Sequence, residues 1–290
     1  MSIVITGASG HLGRRTAELL LTTNGVDAAD VVLLTRSPDK LTDLAARGAQ
    51  VRHGDFADPR TLPAAFAGAT RVLLISIDAG AERVDHHRAA IEAAKAAGVG
   101  LIAYTSYPNP DPRRNSASVV PDHAATEAAI LGSGVPHTFL RNNVYSEYVA
   151  LFSARNPLTA GAFVHNFGDG ASAYVSREDC AAAAAAVLAG GGEHAGKTYD
   201  VAGPEPLTGT ELAGLYASAG GTEVEAVSVD DGTWIADAVA NGLPEPAARN
   251  VASFGRAIRE GALSQRGGDV EQLTGRRPVS VGDVLKGMVD

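Results

Sequence analysis

The sequence predicts an α/β fold in which helices cover both faces of a doubly wound, parallel β-sheet. Two observations predict this fold class. Short, continuously apolar runs recur through the first half of the chain, and such runs are typical of strands that are buried on both faces. Segments with helical periodicity separate the runs, and repeated strand–helix–strand units give parallel sheets with right-handed crossovers.

The apolar runs and the residues beside them define the successive elements. Strands are predicted at residues 3–5, 31–34, 49–51, 72–75, 101–104 and 138–140. Pro38 begins a helix after the second strand, because proline is favoured at the first helical position. A helix at about 82–97 carries His87 on its apolar face, so His87 is expected to be a satisfied core histidine. Left-handed glycine caps are predicted to end three helices, at Gly48, Gly68 and Gly98.

Beyond residue 142 the pattern is looser and mainly helical. Ser176 and Asp179 have the spacing of a helix N-cap and its partner. A strand at 197–202 and a helix at 208–219 follow. Two glycine-containing segments interrupt the helical remainder, at 242–244 and 267–268. No repeat or low-complexity linker marks a boundary, so the second part is expected to pack directly on the sheet.

Composition narrows the class of partner. Lysine and arginine total 24 against 33 aspartate and glutamate residues, a net charge of −9, which argues against binding to nucleic acid or to an anionic membrane. Cys180 is the only cysteine, so intrachain disulfides and thiolate metal clusters are excluded, and no metal site is expected. No apolar run approaches ~18 residues, and no basic region precedes the first strand. We expect a cytoplasmic protein that acts on a small molecule.

A glycine-rich loop follows the first strand directly. Residues 6–13 read Thr-Gly-Ala-Ser-Gly-His-Leu-Gly and open a helix, which is the setting in which such a motif indicates dinucleotide binding. Gly7 permits the tight turn, Gly10 lets the backbone approach the pyrophosphate, and Gly13 lets helix and strand pack closely. The alternative is a turn whose glycines serve geometry alone. The cofactor residues predicted here are Thr6, Gly7, Ser9, Gly10, His11, Leu12 and Gly13.

The end of the second strand indicates which dinucleotide is bound. A site for NAD needs an acidic residue there for the ribose hydroxyls, but this chain has Arg36. A guanidinium can bind a 2′-phosphate with two hydrogen bonds, so NADP(H) is predicted over NAD(H), with a solvated loop arginine as the alternative. We therefore predict an NADP-binding Rossmann domain at 1–142 and a smaller, mainly helical substrate region at 143–290. Segments around 170–205 are expected to return to the first domain.

The spacing Gly-x-x-Gly-x-x-Gly resembles the fingerprint of extended and atypical short-chain dehydrogenase/reductases. Typical members carry a tyrosine that protonates the substrate and a lysine four residues later, but here His123 and Glu127 occupy those places. Either the hydride acceptor needs no strong acid, as with quinones and cationic dyes, or the protein is not catalytic. His123 is a candidate proton donor with a pKa near 7, or else a surface or ribose contact. Ser106, at the end of the fifth strand, is a candidate hydrogen-bond donor.

Many short blocks together resemble the NmrA-like atypical reductases, in the branch of type-2 NAD(P)H:quinone oxidoreductases and triphenylmethane reductases. The blocks include the glycine loop and residues 35–38, 51–55, 87–99, 102–106, 140–145, 199–207 and 273–280. The resemblance implies direct hydride transfer from NADPH without flavin, in a monomer or homodimer. It also implies an alternative function, a redox-sensing regulator that binds NADP(H) without turning it over.

The resemblance carries further site residues onto this chain. It implies that Asp55 meets the adenine amino group and that Phe56 covers the adenine ring, although Asp55 could instead cap the helix near Pro59. Val144 stands where the quinone reductases have an aromatic residue, so it offers less stacking surface. Further cofactor contacts are implied at Ser76, Thr105, Asn142 and Val144. The candidate catalytic residues are His123, Ser106 and Tyr107. The candidate pocket aromatics are Tyr107, Tyr145, Phe152 and Trp234, although core packing is the more frequent fate of such residues.

Overall fold

A computed structural model describes residues 2–78 and 80–289. The strands are β1 Ile3–Ile5, β2 Val31–Thr35, β3 Gln50–His53, β4 Arg71–Leu74, β5 Leu101–Ser106, β6 His137–Asn142, β7 Ala162–His165, β8 Ala171–Ser172, β9 Lys197–Val201, β10 Leu207–Thr208 and β11 Glu225–Ser228. The helices are α1 His11–Thr22, α2 Thr42–Ala46, α3 Leu62–Phe66, α4 Arg83–Ala96, α5 Val120–Ser133, α6 Pro157–Ala160, α7 Arg177–Gly190, α8 Gly209–Gly220, α9 Asp231–Ala240, α10 Glu245–Arg259, α11 Asp269–Thr274 and α12 Val281–Val289.

Seven of the strands form one parallel sheet in the order β3-β2-β1-β4-β5-β6-β9. The chain winds outward from β1 to β3 and then returns to the other side of β1 to continue with β4. This reversal leaves a crevice between the carboxyl ends of β1 and β4, where doubly wound sheets bind their ligands. The predicted fold class is confirmed.

Alternate residues of the strands supply two separate cores. Ile3 and Ile5 face the side covered by α1 and α7, whereas Val4 between them faces the side covered by α3, α4 and α5. This alternation follows from the two-residue period of a strand, and it explains why both kinds of position are apolar. The predicted glycine caps at Gly48, Gly68 and Gly98 all have positive φ.

The chain beyond residue 142 contributes a strand and a helix to the same sheet. β9 pairs in parallel with β6, and α7 packs beside α1 in the same core. Ser176 caps α7 by accepting the backbone N–H of Asp179, as predicted. The fully buried Asp179 carboxylate in turn accepts bonds from the Arg276 guanidinium at 2.6 Å and the Val279 N–H at 2.8 Å. These bonds fasten the C-terminal segment to the amino end of α7.

The rest of the C-terminal part packs helices α8, α9, α10 and α12 around two small sheets. β7 pairs in parallel with β11, and β8 pairs antiparallel with β10. None of these four strands was predicted. Each has two to four residues and is paired with a segment far away in the sequence, so tertiary contact rather than local pattern decides its conformation. In the described part of the chain, no helix has the length and apolarity to cross a bilayer.

Candidate active site

A cavity of about 350 Å³ opens at the carboxyl ends of β4, β5 and β6, beneath α10. The loop after β4, the ends of β5 and β6 and the segment 142–152 form three of its sides, and residues 250–254 of α10 form the fourth. Its volume is that of a small-molecule site. The cavity brings together nine of the predicted site residues: Ser76, Thr105, Ser106, Tyr107, His123, Asn142, Val144, Tyr145 and Phe152.

The glycine loop next to this cavity presents an open helix N-terminus. Gly7 has φ +60°, a conformation that glycine adopts without strain. Gly10 is the N-cap of α1 and no described side chain bonds to the orphan N–H groups, so these remain available to an anion. A β-carbon on Gly13 would lie 2.6 Å from the Gly7 carbonyl oxygen, so α1 can approach the loop this closely only because residue 13 has no side chain. Gly7, Gly10 and His11 are exposed, and Leu12 is buried beneath them.

Arg36 follows β2 at the same edge of the sheet. Its side chain is exposed and forms no hydrogen bond or ion pair with residues 2–78 and 80–289. The adjoining loops are held together, because Thr35 Oγ1 donates to Ser9 Oγ at 2.9 Å and accepts the Ser37 N–H at 3.0 Å. A free guanidinium therefore stands beside the glycine loop on a fixed backbone.

The two residues implied for adenine contact follow β3 but differ in exposure. Asp55 is partly exposed and its Oδ1 accepts the Ala57 N–H at 3.0 Å. The alternative cap near Pro59 falls to Asp58, whose carboxylate accepts the Arg60 N–H. The Phe56 ring lies in the core beneath the sheet with only 6% of its surface exposed. It therefore offers little side-chain surface to an adenine ring.

Asn142, at the end of β6, is the residue that points most directly to a ligand-binding role. The residue is 4% exposed and lines the cavity, but neither its amide nitrogen nor its amide oxygen has a partner among the described residues. A buried polar group left unpaired costs ~1–3 kcal/mol, so such groups are rare unless a ligand completes them. One donor and one acceptor side by side match a carboxamide.

Hydroxyl groups at the strand ends fix the loops around Asn142. Thr6 Oγ1 accepts the Ile75 N–H and Thr105 Oγ1 accepts the Ser76 N–H, both at 2.9 Å. The hydroxyl of Tyr107 is buried without a partner in the described chain, in the wall of the cavity. Thr6 and Thr105 therefore position backbone, while Tyr107 retains a free donor.

Ser106 is part of a buried polar chain that the sequence did not predict. Its Oγ donates to Glu127 Oε1 at 2.6 Å, and the same carboxylate accepts Arg141 Nε at 3.1 Å and Nη2 at 2.8 Å. Because its proton is directed at the carboxylate, Ser106 presents lone pairs to the cavity. This corrects the expectation that Ser106 is a donor. The sequence did not indicate either partner. Glu127 was noted only because it stands where typical members have a lysine, and Arg141 lies on the adjacent strand.

His123 is buried, and its environment keeps it neutral. Nδ1 lies 2.9 Å from the Tyr104 hydroxyl, and the ring stacks on Tyr107 with centroids 5.8 Å apart. Burial, followed by the charges of Arg83 and His87, lowers the pKa of His123 to about 3. The expected pKa near 7 is therefore corrected, because burial in a low dielectric disfavours the imidazolium.

The other predicted histidine is satisfied in the core. His87 Nε2 accepts the Ile77 N–H at 3.2 Å and Nδ1 bonds Thr126 Oγ1 at 2.9 Å. Thr126 donates its own proton to a backbone carbonyl, so His87 Nδ1 carries the ring proton. Burial lowers the pKa of His87 to about 4. It is a core histidine, as predicted.

Three of the four predicted aromatic residues line the cavity, and the fourth does not. Trp234 is fully buried among helices α9 and α10, and its indole N–H donates to the carbonyls of Phe152 and Val164 at 3.1 and 3.0 Å. The prediction for Trp234 is thus corrected to a packing role. Sequence reasoning missed Tyr148 and Phe254, which also line the cavity. An exposed tyrosine and an α10 phenylalanine carry no local signal of a ligand.

A family model described as NAD(P)H-binding matches residues 7–190, from Gly7 of the glycine loop through α7. The chain belongs to this NAD(P)H-binding family. It is 38% identical over 274 residues to quinone oxidoreductase 2 of Escherichia coli, covering 94% of this chain and 93% of that protein. Family membership agrees with the resemblance to the NmrA-like branch drawn from the sequence.

Solved structures of two relatives superpose on nearly the whole chain. The NADPH-dependent quinone oxidoreductase of E. coli complexed with NADPH matches at TM-score 0.93, with 35% identity and coverage of 99% of this chain and 100% of that one. The triphenylmethane reductase of Citrobacter sp. complexed with NADP(H) matches at TM-score 0.90, with 34% identity and 99% coverage of both chains. The described site fits the family's cofactor, since it combines an open helix N-terminus with the unpaired Asn142 amide.

Proposed function

We propose that this chain is an NADPH-dependent oxidoreductase that transfers a hydride directly, without flavin, to a quinone or a similar conjugated acceptor. The observation that carries the proposal is the unpaired amide of Asn142 in the wall of an aromatic-lined cavity beside the glycine loop. Oxidoreductase relatives of similar length support it. When bound, NADPH supplies the hydride; orientation and exclusion of water come from the protein.

The residues that would hold the cofactor lie along the carboxyl edge of the sheet. The N–H groups of residues 10–13 would receive the pyrophosphate, and Arg36 the 2′-phosphate. Asn142 and the lone pairs of Ser106 would bind the amide of the nicotinamide, since together they offer a donor and two acceptors. Ser76 and Thr105 would fix the backbone beside the ring.

The cavity suits an acceptor that needs no strong acid. The places of the typical tyrosine and lysine hold His123 and Glu127, and both are already engaged with Tyr104 and Arg141. Burial raises the pKa of Tyr104 to about 12, so its hydroxyl keeps its proton and can donate to His123 Nδ1. In that tautomer a neutral Nε2–H would donate a hydrogen bond to the acceptor oxygen. A reduced quinone is a stabilised phenolate, and water can protonate it.

The decisive experiment follows NADPH absorbance with benzoquinone, menadione and a triarylmethane dye. The proposal expects oxidation well above background with the quinones and no flavin in the purified protein. The alternative is a redox-sensing regulator, which would bind NADPH tightly and oxidise none with any of the three. Unequal affinity for NADP⁺ and NADPH without turnover would establish that alternative.

Arg36→Glu is expected to reverse the cofactor preference. Loss of the charge-assisted bonds to the 2′-phosphate, at ~1.5–3 kcal/mol each, should weaken NADPH binding about 10- to 100-fold, with NADH affected far less. Dissociation constants for both nucleotides, from fluorescence titration, test this. Arg47→Glu is the matched control, because Arg47 is also an exposed arginine but precedes β3, at the opposite, amino edge of the sheet. If Arg36→Glu weakens the binding of NADPH and NADH equally, Arg36 does not bind the 2′-phosphate.

His123→Gln is expected to leave the pH profile of the reaction unchanged. Since the pKa of His123 is lowered to about 3, the neutral form predominates throughout pH 5–8, and no inflection near 6.5 should occur in kcat/KM. Glutamine keeps a neutral amide donor, whereas His123→Phe removes it and should lower kcat about 10-fold. A wild-type inflection near 6.5 that His123→Gln abolishes would restore the imidazolium as proton donor.

A further inference from the structure

We propose that Arg83 stabilises the negative charge that develops on the reduced acceptor, and that it thereby selects acceptors whose reduction leaves an oxyanion over cationic acceptors. The inference rests on the proposed function and specifies its substrate class. It comes from an arginine in the cavity wall that neither the sequence motifs nor the cofactor site accounts for.

The Arg83 guanidinium lies in the cavity wall and keeps one donor atom without a partner. Arg83 is the first residue of α4, its side chain is 13% exposed, and it is the only cationic side chain among the described residues that line the cavity. Its Nε is buried without a partner in the described chain. Two carboxylates contact the other two nitrogens: Nη2 donates to Asp78 Oδ1 at 3.3 Å, and Nη1 lies 3.5 Å from Asp122 Oδ2.

Solvent weakens the neutralisation of Arg83 by its two carboxylate partners. Asp78 also lines the cavity, but its side chain is 98% exposed, so solvent screens its charge, while Asp122 lies on α5 outside the lining. The other nearby charges, Glu127 and Arg141, cancel as a close pair behind Ser106. The positive potential of Arg83 also reaches His87 and His123, where it adds to the effect of burial on both rings.

The charge balance of hydride transfer decides which acceptor this potential favours. A hydride carries two electrons and one proton, so a neutral quinone that accepts it becomes a monoanion with its charge on oxygen, and NADPH becomes NADP⁺. A proton from water then completes the hydroquinone. A donor already in place for that oxyanion lowers the barrier. A cationic triarylmethane dye becomes neutral when it accepts the same hydride. Arg83 therefore repels the bound dye cation and has no negative charge to stabilise in the product.

The test compares the two acceptor charges in wild type and Arg83→Gln. With menadione we expect kcat/KM to fall about 100-fold, mainly in kcat. With a cationic triarylmethane dye kcat/KM should stay level or rise. Asp122→Asn is the control: it removes a partner of Arg83 but keeps the cation, so quinone reduction should not fall. Equal losses for both acceptors, or no change with menadione, would overturn the assignment.

A binding measurement keeps this inference separate from the proposed function. In the presence of NADP⁺, 4-nitrophenol reports by its absorbance whether the bound species is phenol or phenolate. The wild-type protein should bind the phenolate in preference to the phenol. In Arg83→Gln the ratio of bound phenolate to bound phenol should be at least about tenfold lower. If the wild-type protein oxidises no NADPH, the proposed function fails while this measurement still decides on Arg83. Equal phenolate preference in both proteins would refute the role.

Discussion

Gly13→Ala is expected to reduce NADPH affinity by at least about 100-fold. The added β-carbon would lie 2.6 Å from the Gly7 carbonyl oxygen and 2.9 Å from the Ala8 Cα, both of them backbone atoms that cannot rotate away. The loop must therefore move off the helix, and the N–H groups that would receive the pyrophosphate move with it. Overpacking of this kind also costs ~1–3 kcal/mol of stability. Isothermal titration with NADPH and urea unfolding measure the two effects.

Gly132→Ala is the matched control for this substitution. Gly132 also lies in a helix, α5, but a β-carbon there would meet no atom within 4 Å. Its replacement should leave NADPH affinity unchanged and raise the free energy of unfolding by up to about 1 kcal/mol, because glycine is a poor helix former. Normal NADPH binding by a folded Gly13→Ala protein would show that the glycine loop does not hold the pyrophosphate.

The sheet was predictable because its strands are covered on both faces. Ile3 to Ile5 must be apolar at every position, since alternate residues enter different cores, and no amphipathic helix has such a pattern. The glycine loop was equally readable, because one backbone geometry constrains several positions at once. β3, an edge strand with exposed ends, was placed only to within one or two residues of its bounds.

The polar interior of the site was not predictable, because pairing there depends on the order of strands and helices in space. Ser106 and Arg141 lie on adjacent strands, and Glu127 on the helix between them, yet only the register of β5 with β6 brings them together. Burial likewise decides the state of His123, whose sequence position says nothing of its dielectric environment. The pocket role predicted for Trp234 is wrong for the same reason. The sequence shows that the residue is aromatic, but the packing of the helices determines which residues it contacts.

Glu127→Leu is expected to destabilise the protein by about 3 kcal/mol, since it removes the hydrogen-bonded carboxylate of the partly buried Arg141 guanidinium and leaves only the weaker attraction of Asp200. Ser106 would lose the acceptor of its hydroxyl proton at the same time. The free energy of unfolding in urea measures the loss. The exposed pair of Arg249 with Glu245 on α10 is the control, and Glu245→Gln should change stability by no more than about 0.5 kcal/mol.

The double variant Glu127→Leu with Arg141→Leu separates an unpaired charge from a lost interaction. Two apolar side chains of similar size avoid the desolvation of both ions, so stability should return to within about 1–2 kcal/mol of wild type. The remaining deficit would come from Asp200, whose carboxyl interacts with Arg141; burial nevertheless raises its pKa. In the double variant the Ser106 hydroxyl is released to act as a donor, so NADPH affinity should fall even though folding recovers. If the double variant recovers both its stability and its NADPH affinity, the chain of Ser106, Glu127 and Arg141 serves stability alone.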